Sequence, residues 1–313
     1  MQTILIIKPS SMGDIIHGLL VAEAIRSQLP GVRIDWVVRR EFEPLVAAAK
    51  AVDRTLVFER SGGLRAFRRL IREIREQSYD AVLDMQGLAR SGILTACSRA
   101  RRRIGRADAR EFAGLAYGET TAAWPKERPR HAVEILGDFL TVLGLDRRLA
   151  RTISFRDPGR PVDLPTAGGK RVVLFPESRR AEKNWGGYEA LSRKLLERPE
   201  VGQVVWCGHL RFEAAGPMDA PGFFNLTGAT GIDQLPALLR HADCVVSNDS
   251  GPMHLAAALG RPLVALFGPT DPARFGPYPK DASSQRVIRR ADGAMASVTP
   301  EEVLRAVVEL LSR

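Results

Sequence analysis

The sequence predicts an α/β protein of two doubly wound, Rossmann-like domains, and two observations carry that expectation. Short β-branched runs alternate with amphipathic stretches along the chain, which is the pattern of parallel strands joined by crossover helices. The alternation is interrupted once, between Asp157 and Gly169, where prolines and glycines rule out a helix or a central strand. A linker over 157–169 leaves a first domain over 1–156 and a second over 170–313.

In the first domain, strands are expected near Thr3–Ile7, Arg33–Val38, Arg54–Phe58 and Ala81–Asp84, with helices near His17–Gln28, Leu64–Gln77 and His131–Leu143. The second of these helices is the plainest, because Leu64, Phe67, Leu70, Ile71 and Ile74 recur at helical spacing while Arg68, Arg69, Arg72 and Arg75 fill the other face. In the second domain, strands are expected at Arg171–Phe175, Gln203–Cys207, Cys244–Ser247 and Leu263–Phe267. Helices are expected at Tyr188–Leu196, Asp233–His241, Met253–Leu259 and Pro300–Leu311. Such domains bind ligands at the carboxyl ends of their strands, so the loops that follow strands are where chemistry is expected.

Composition narrows the function. The chain has 313 residues, 45% of them hydrophobic, and its most apolar windows are of strand length, far short of the roughly 20 residues that span a bilayer. No basic segment followed by an apolar stretch opens the chain, so a cytoplasmic protein is expected. Cys97, Cys207 and Cys244 are widely spaced and are read as free thiols, and no CxxC or HExxH motif offers a metal site. Neither a metal nor another cofactor is expected. The net charge of +10 and the arginines between Arg60 and Arg110, including Arg101, Arg102 and Arg103, suit a polyanionic partner. With 6% aromatic residues and no aromatics interleaved among the arginines, a reader of single-stranded nucleic acid is disfavoured, and an anionic lipid or phosphorylated glycolipid fits the charge equally well.

Five loops are candidates for chemistry. Lys8-Pro9-Ser10-Ser11-Met12-Gly13-Asp14 follows the first strand and matches neither GxGxxG nor GxxxxGK[ST], which argues against a dehydrogenase or a P-loop kinase. Two readings of Asp14 are open: a base within reach of an acceptor hydroxyl, or a carboxylate that merely favours the first helical turn. In the loop from Phe175 to Trp185, Ser178 and Lys183 suit a diphosphate, the alternative being an exposed charged loop. Ser247-Asn248-Asp249-Ser250-Gly251-Pro252-Met253-His254 leads a strand into a helix whose first N–H groups suit an anion, with Asp249 placed for sugar hydroxyls. A simple helix cap is the other reading. Gly268-Pro269-Thr270-Asp271-Pro272 reads as a rigid corner, and Glu213, after the strand ending at Cys207, is a candidate for ribose hydroxyls.

Taken in order, five segments resemble the heptosyltransferase family of lipopolysaccharide core assembly, glycosyltransferase family 9, most closely its type I members. They are Ile7 to His17, Tyr79 to Leu88 (Tyr-Asp-Ala-Val-Leu-Asp-Met-Gln-Gly-Leu), Lys183 with Trp185, Val246 to Leu255, and Phe267 to Pro272. The resemblance spans nearly the whole chain. It implies a GT-B fold, in which two Rossmann-like domains face each other across a cleft, the first taking the acceptor and the second the nucleotide sugar. In that fold the last helix can pack back on the first domain. It also implies metal-independent, inverting transfer of heptose from ADP-L-glycero-D-manno-heptose to the Kdo of lipid A–Kdo, at the cytoplasmic side of the membrane.

The same resemblance implies roles: Asp14 as general base, Lys183 at the donor phosphates, Asp249 at the heptose hydroxyls, and Ser250, Gly251 and His254 completing the donor loop. On the acceptor side it points to Ser10, Ser11, Gly13 and Gln86 from the two first-domain motifs, with Arg60, Arg65, Arg90 and Arg110 for the anionic acceptor. The chain departs from the type I pattern at Pro176-Glu177-Ser178-Arg179-Arg180, where Glu177 would repel a diphosphate unless an arginine neutralises it. The basic loop at Glu59–Gly63 is also short. Two rivals stand beside this reading: a same-fold transferase with another nucleotide sugar or a non-lipid acceptor, and a non-catalytic binder of nucleotide or anionic glycolipid.

Overall fold

The computed structural model describes the chain apart from residues 126–129, 158–161, 179 and 210–219. It divides into two compact units, Met1–Arg156 and Asp157–Arg313. Part of the 157–169 linker thus lies outside the described residues, and so does Glu213; what is described of 162–169 contains neither helix nor strand.

In the first unit the order is β1 (Thr3–Ile7), α1 (Met12–Gln28), β2 (Arg33–Arg39), α2 (Glu43–Ala48), β3 (Arg54–Phe58), α3 (Gly63–Arg75) and β4 (Ser78–Asp84). There follow α4 (Ala89–Cys97), β5 (Arg99–Gly105), β6 (Glu119–Thr120) and α5 (Ala132–Val142). The strands form one parallel sheet in the order β3-β2-β1-β4-β5-β6. Its centre is apolar because β1 is buried from Ile4 to Ile7, the continuous hydrophobic run of a strand covered on both faces. Helix α3 turns Leu70 and Ile74 onto the sheet and leaves its arginines in solvent. Helix α5 packs on α1, where the rings of His17 and His131 meet edge to face at 5.7 Å.

The second unit runs β7 (Lys170–Phe175), α6 (Tyr188–Leu196), β8 (Val201–Trp206), β9 (Phe223–Asn225), α7 (Leu235–Arg240), β10 (Cys244–Asn248) and α8 (Gly251–Ala258). It continues with β11 (Leu263–Phe267), α9 (Pro272–Phe275), β12 (Gln285–Arg289) and α10 (Pro300–Leu311). Its parallel sheet has the order β12-β11-β10-β7-β8-β9. Helix α10 packs within this unit: Val303, Val307 and Leu310 join Leu191, Leu195 and Trp206 in its core.

Numbered within its own unit, each sheet has strand order 3-2-1-4-5-6, reversing direction between the first and fourth strands. That reversal, β1/β4 in one unit and β10/β7 in the other, leaves a crevice at the carboxyl ends of the two strands. The loops after those four strands hold the first four of the five segments singled out in the sequence.

Candidate functional site

In the first unit the loop after β1 is built around Asp14. Ser11 precedes α1, and both its N–H and its hydroxyl donate to Asp14 Oδ2, at 3.0 and 2.8 Å. Asp14 therefore does cap the first turn, through Oδ2. Its other oxygen, Oδ1, is 3.7 Å from the Lys8 ammonium, and the carboxylate remains partly open to solvent. Lys8 is 3% exposed. Burial pushes its ammonium below the ordinary lysine range, and Asp14 opposes that shift. Gly13 lies in the same helical turn.

The loop after β4 closes the crevice from the other side. Asp84 is fully buried and its Oδ1 accepts the N–H groups of Gln86 and Gly87, at 3.0 and 2.9 Å. Tyr117 donates its hydroxyl to Asp84 Oδ2 at 2.7 Å. Burial raises the Asp84 carboxyl above the usual carboxylate range, against the lowering effect of these donors. Gly87 has φ +69°, where glycine is favoured, and its carbonyl accepts the backbone N–H of Arg110 at 2.9 Å. The Tyr117 ring reaches Asp84 only because β5 has Gly105 beneath it: a Cβ there would lie 2.0 Å from Tyr117 Cε2.

Between these loops is a cavity of about 210 Å³, lined among others by Ser10, Arg39, Arg60, Gln86, Arg90 and Glu111. Four of the residues expected on the acceptor side, Ser10, Arg60, Gln86 and Arg90, thus come together. Arg65 and Arg110 are exposed and do not line it. The arginines of β5 are used differently. Arg102 forks onto Glu119 at 2.8 and 2.6 Å and also donates to the Val142 carbonyl, Arg103 donates to the Ser98 carbonyl, and Arg101 pairs with Asp80 at 3.8 Å. Arg101 and Arg103 line a hollow at the amino end of β4 and β5, away from the crevice.

In the second unit, Lys183 follows β7 and Asp249 follows β10, neighbouring strands at the reversal. Lys183 Nζ donates to Asp249 Oδ2 at 2.6 Å, and Thr270 Oγ1, from the corner after β11, donates to the same oxygen at 2.5 Å. Trp185 anchors the Lys183 loop, its indole N–H donating to the Val298 carbonyl at 2.8 Å and its ring meeting Tyr188 edge to face. Asn248 is fixed by Tyr188 OH, which donates to Asn248 Oδ1 at 3.1 Å, and by its own Nδ2, which donates to the Pro176 carbonyl at 3.2 Å. Ser250 holds the N-cap position of α8 without a side-chain capping bond, and Gly251 is the first residue of the helix; His254 is buried in the first turn.

Ser178 is part of the loop's own closure: its N–H donates to Asn184 Oδ1 at 2.7 Å, and its hydroxyl accepts Arg180 N–H at 3.4 Å. Arg180 pairs with Glu182, not with Glu177. Glu177 instead lies against Gly208, where a Cβ would come within 3.0 Å of Oε2. Lys8, Asp84, Tyr117 and Thr270 were given no role from sequence. Lys8, a lone cation ending an apolar strand, offered a signal; Tyr117, 33 residues from Asp84, offered none. Among the described residues, no group of three or more His, Cys, Asp or Glu is arranged to hold a metal ion.

Two Rossmann-like units, one with a cation, a carboxylate and a helix N-terminus at its crevice and the other with a half-open carboxylate near a basic cavity, have the groups that a glycosyltransferase uses. The comparisons with known proteins agree. The model of glycosyltransferase family 9 (heptosyltransferase) matches residues 67–304. Lipopolysaccharide heptosyltransferase 1 of Escherichia coli K12 is 28% identical over 98% of this chain and 99% of its own, and that of Salmonella typhimurium LT2 is 31% identical over 89% and 92%. The structure of E. coli heptosyltransferase WaaC with ADP superposes with a TM-score of 0.80 at 26% identity, covering 99% of this chain and all of the other. The chain belongs to glycosyltransferase family 9, with the α/β fold of the GT-B heptosyltransferases.

Proposed function

We propose that this enzyme transfers heptose from ADP-L-glycero-D-manno-heptose to the Kdo of a lipid A–Kdo acceptor, with inversion and without a metal, at the cytoplasmic face of the membrane. The observation that carries the reading is the Lys183–Asp249–Thr270 cluster beside the N-terminus of α8, in a chain whose relative WaaC has been solved with ADP and with ADP-2-deoxy-2-fluoro heptose. An inverting displacement needs one base and a stabilised leaving group. Asp14 takes the proton of the acceptor hydroxyl, the oxygen attacks the anomeric carbon, and the bond to the β-phosphate breaks. Lys183 and the first N–H groups of α8 stabilise the charge that develops on ADP, while Asp249 holds heptose hydroxyls. Ser10, Gln86, Arg60 and Arg90 hold the anionic acceptor. Among the described residues no helix is long and apolar enough to cross a membrane.

The test is transfer from ADP-heptose to a deacylated Kdo–lipid A acceptor in EDTA. Product is expected, falling at least about 10²-fold in Asp14→Asn, the range for a lost general base. A folded protein that binds ADP and makes no product would overturn the donor and acceptor assignments. A second reading, transfer from another nucleotide sugar, is favoured by Glu177 in the loop after β7 in the donor unit; a donor panel decides it.

A further inference from the structure

We propose that the first unit docks on a bilayer surface bearing anionic headgroups, through the apolar side chains of Leu64, Ile93, Phe112 and Leu115 and the arginines of the same segments. The inference deepens the proposed function and rests on its lipid-borne acceptor. These four side chains are 72%, 48%, 87% and 87% exposed, and they are carried by three elements that are neighbours in the fold, a grouping of exposed apolar groups that marks an interaction surface. Leu64 opens α3, Ile93 is on α4, and Phe112 and Leu115 flank and enter the 3-10 turn Ala113–Ala116. Helix α4 packs on both α3 and that turn, closely enough that a Cβ at Gly92 would lie 2.9 Å from Ala113 Cα. All three elements leave the carboxyl end of the parallel sheet, the end that holds the acceptor cavity.

The backbone pushes this face outward. Glu111 and Phe112 have φ of +55° and +62°, the left-handed region that bulky L side chains rarely enter. The turn accepts that conformation and places the Phe112 ring in solvent. Glu111 lines the acceptor cavity and accepts the Ala89 N–H at 3.1 Å, so the strained turn ties the apolar tip to the cavity rim.

Charge selects the partner. Arg60, Arg65, Arg90 and Arg110 are exposed in the same segments, each within four residues of one of these apolar side chains, and among the described residues none of their guanidinium groups is held in an ion pair. Many other arginines of this unit are held: Arg26 by Asp53, Arg54 by Glu76, Arg102 by Glu119, Arg106 by Asp108. Apolar groups that enter the headgroup layer, with uncommitted cations in the same segments, match an anionic membrane surface. On such a surface the cavity would open toward the sugar of a lipid whose acyl chains stay in the bilayer.

The test is co-sedimentation of the full chain with phosphatidylcholine vesicles, with and without phosphatidylglycerol, for wild type, F112S/L115S and, as control, V287S, an exposed apolar site on the second unit. Wild type and V287S should sediment with the anionic vesicles only, less so in high salt, and F112S/L115S should lose about tenfold or more of that binding. All three should melt alike and transfer equally to the water-soluble deacylated acceptor. Wild type that ignores anionic vesicles, or binding unchanged in F112S/L115S, overturns the proposal. So does a wild-type dimer that becomes monomeric in F112S/L115S, which would assign the face to a second copy. Because vesicle binding needs no turnover, absent transfer with intact docking would count against the proposed function alone.

Discussion

Lys183 and Asp249 are 66 residues apart in the chain, yet Lys183 Nζ donates to Asp249 Oδ2 at 2.6 Å, and Asp249 is almost wholly buried. The cation proposed for the donor phosphates is therefore held by the carboxylate proposed for the sugar. The pair keeps the ammonium aimed at the crevice while lowering its net charge there.

Asp249→Asn removes that neutralisation and keeps an oxygen for Thr270. ADP should then bind at least as tightly as to wild type by calorimetry, while heptose transfer falls by about 10²-fold. Equal losses in both would mean that Asp249 only shapes the loop. Lys183→Ala should do the reverse to ADP, weakening it by about tenfold to a hundredfold, the worth of a charge-assisted hydrogen bond.

Asp14 both caps α1 and is the proposed base, and two substitutions separate these roles. Asp14→Asn retains an acceptor for the Ser11 N–H; Asp14→Ala does not, and should cost about 1 kcal/mol more in stability. Both should lose transfer to the same extent, about 10²-fold or more. Activity that tracks the melting temperature instead would leave the cap as the whole role.

The buried Lys8 ammonium gives stability a pH dependence. Its folded-state pKa is below the ordinary 10.5, so between the two values the unfolded chain binds more protons, and the penalty it imposes shrinks as pH rises through that window. Lys8→Met removes the titrating group and nearly keeps the volume. The variant should be more stable than wild type near neutral pH, with the difference closing as pH approaches 10.5. Chemical denaturation across that range is the measurement, and a difference that grows with pH would contradict the assignment.

Tyr117 is expected to act through Asp84. Tyr117→Phe leaves a fully buried carboxylate one donor short, a cost of about 1–3 kcal/mol. Burial already raises the Asp84 pKa and the lost donor raises it further, so that cost should grow as pH rises from the wild-type folded value through the higher one of the variant, and stay flat below. Gly105→Ala should be at least as harmful, since its Cβ would displace the ring. In both, loosening of the Gln86–Gly87 turn should raise the acceptor KM more than it lowers kcat.

Much of this molecule was legible in the sequence, and the rest was not, for a physical reason. Periodicity and turn chemistry are local, so the alternation of elements and the loops carrying Asp14, Lys183 and Asp249 could be read directly. The strand β5 escaped because Arg99, Arg101, Arg102 and Arg103 mimic a solvated basic segment; they are tolerated in a strand because β6 pairs only with Ile104 and Gly105 and leaves the rest as an edge. Likewise Thr270 read as part of a corner, and nothing near Tyr117 pointed to Asp84. Sequence determined which residues could do chemistry. Only the tertiary structure decided which of them meet, because strand order and helix packing, which no local propensity encodes, put Lys183 on Asp249, sent Arg102 to Glu119 and set Arg60 and Arg90 at the cavity.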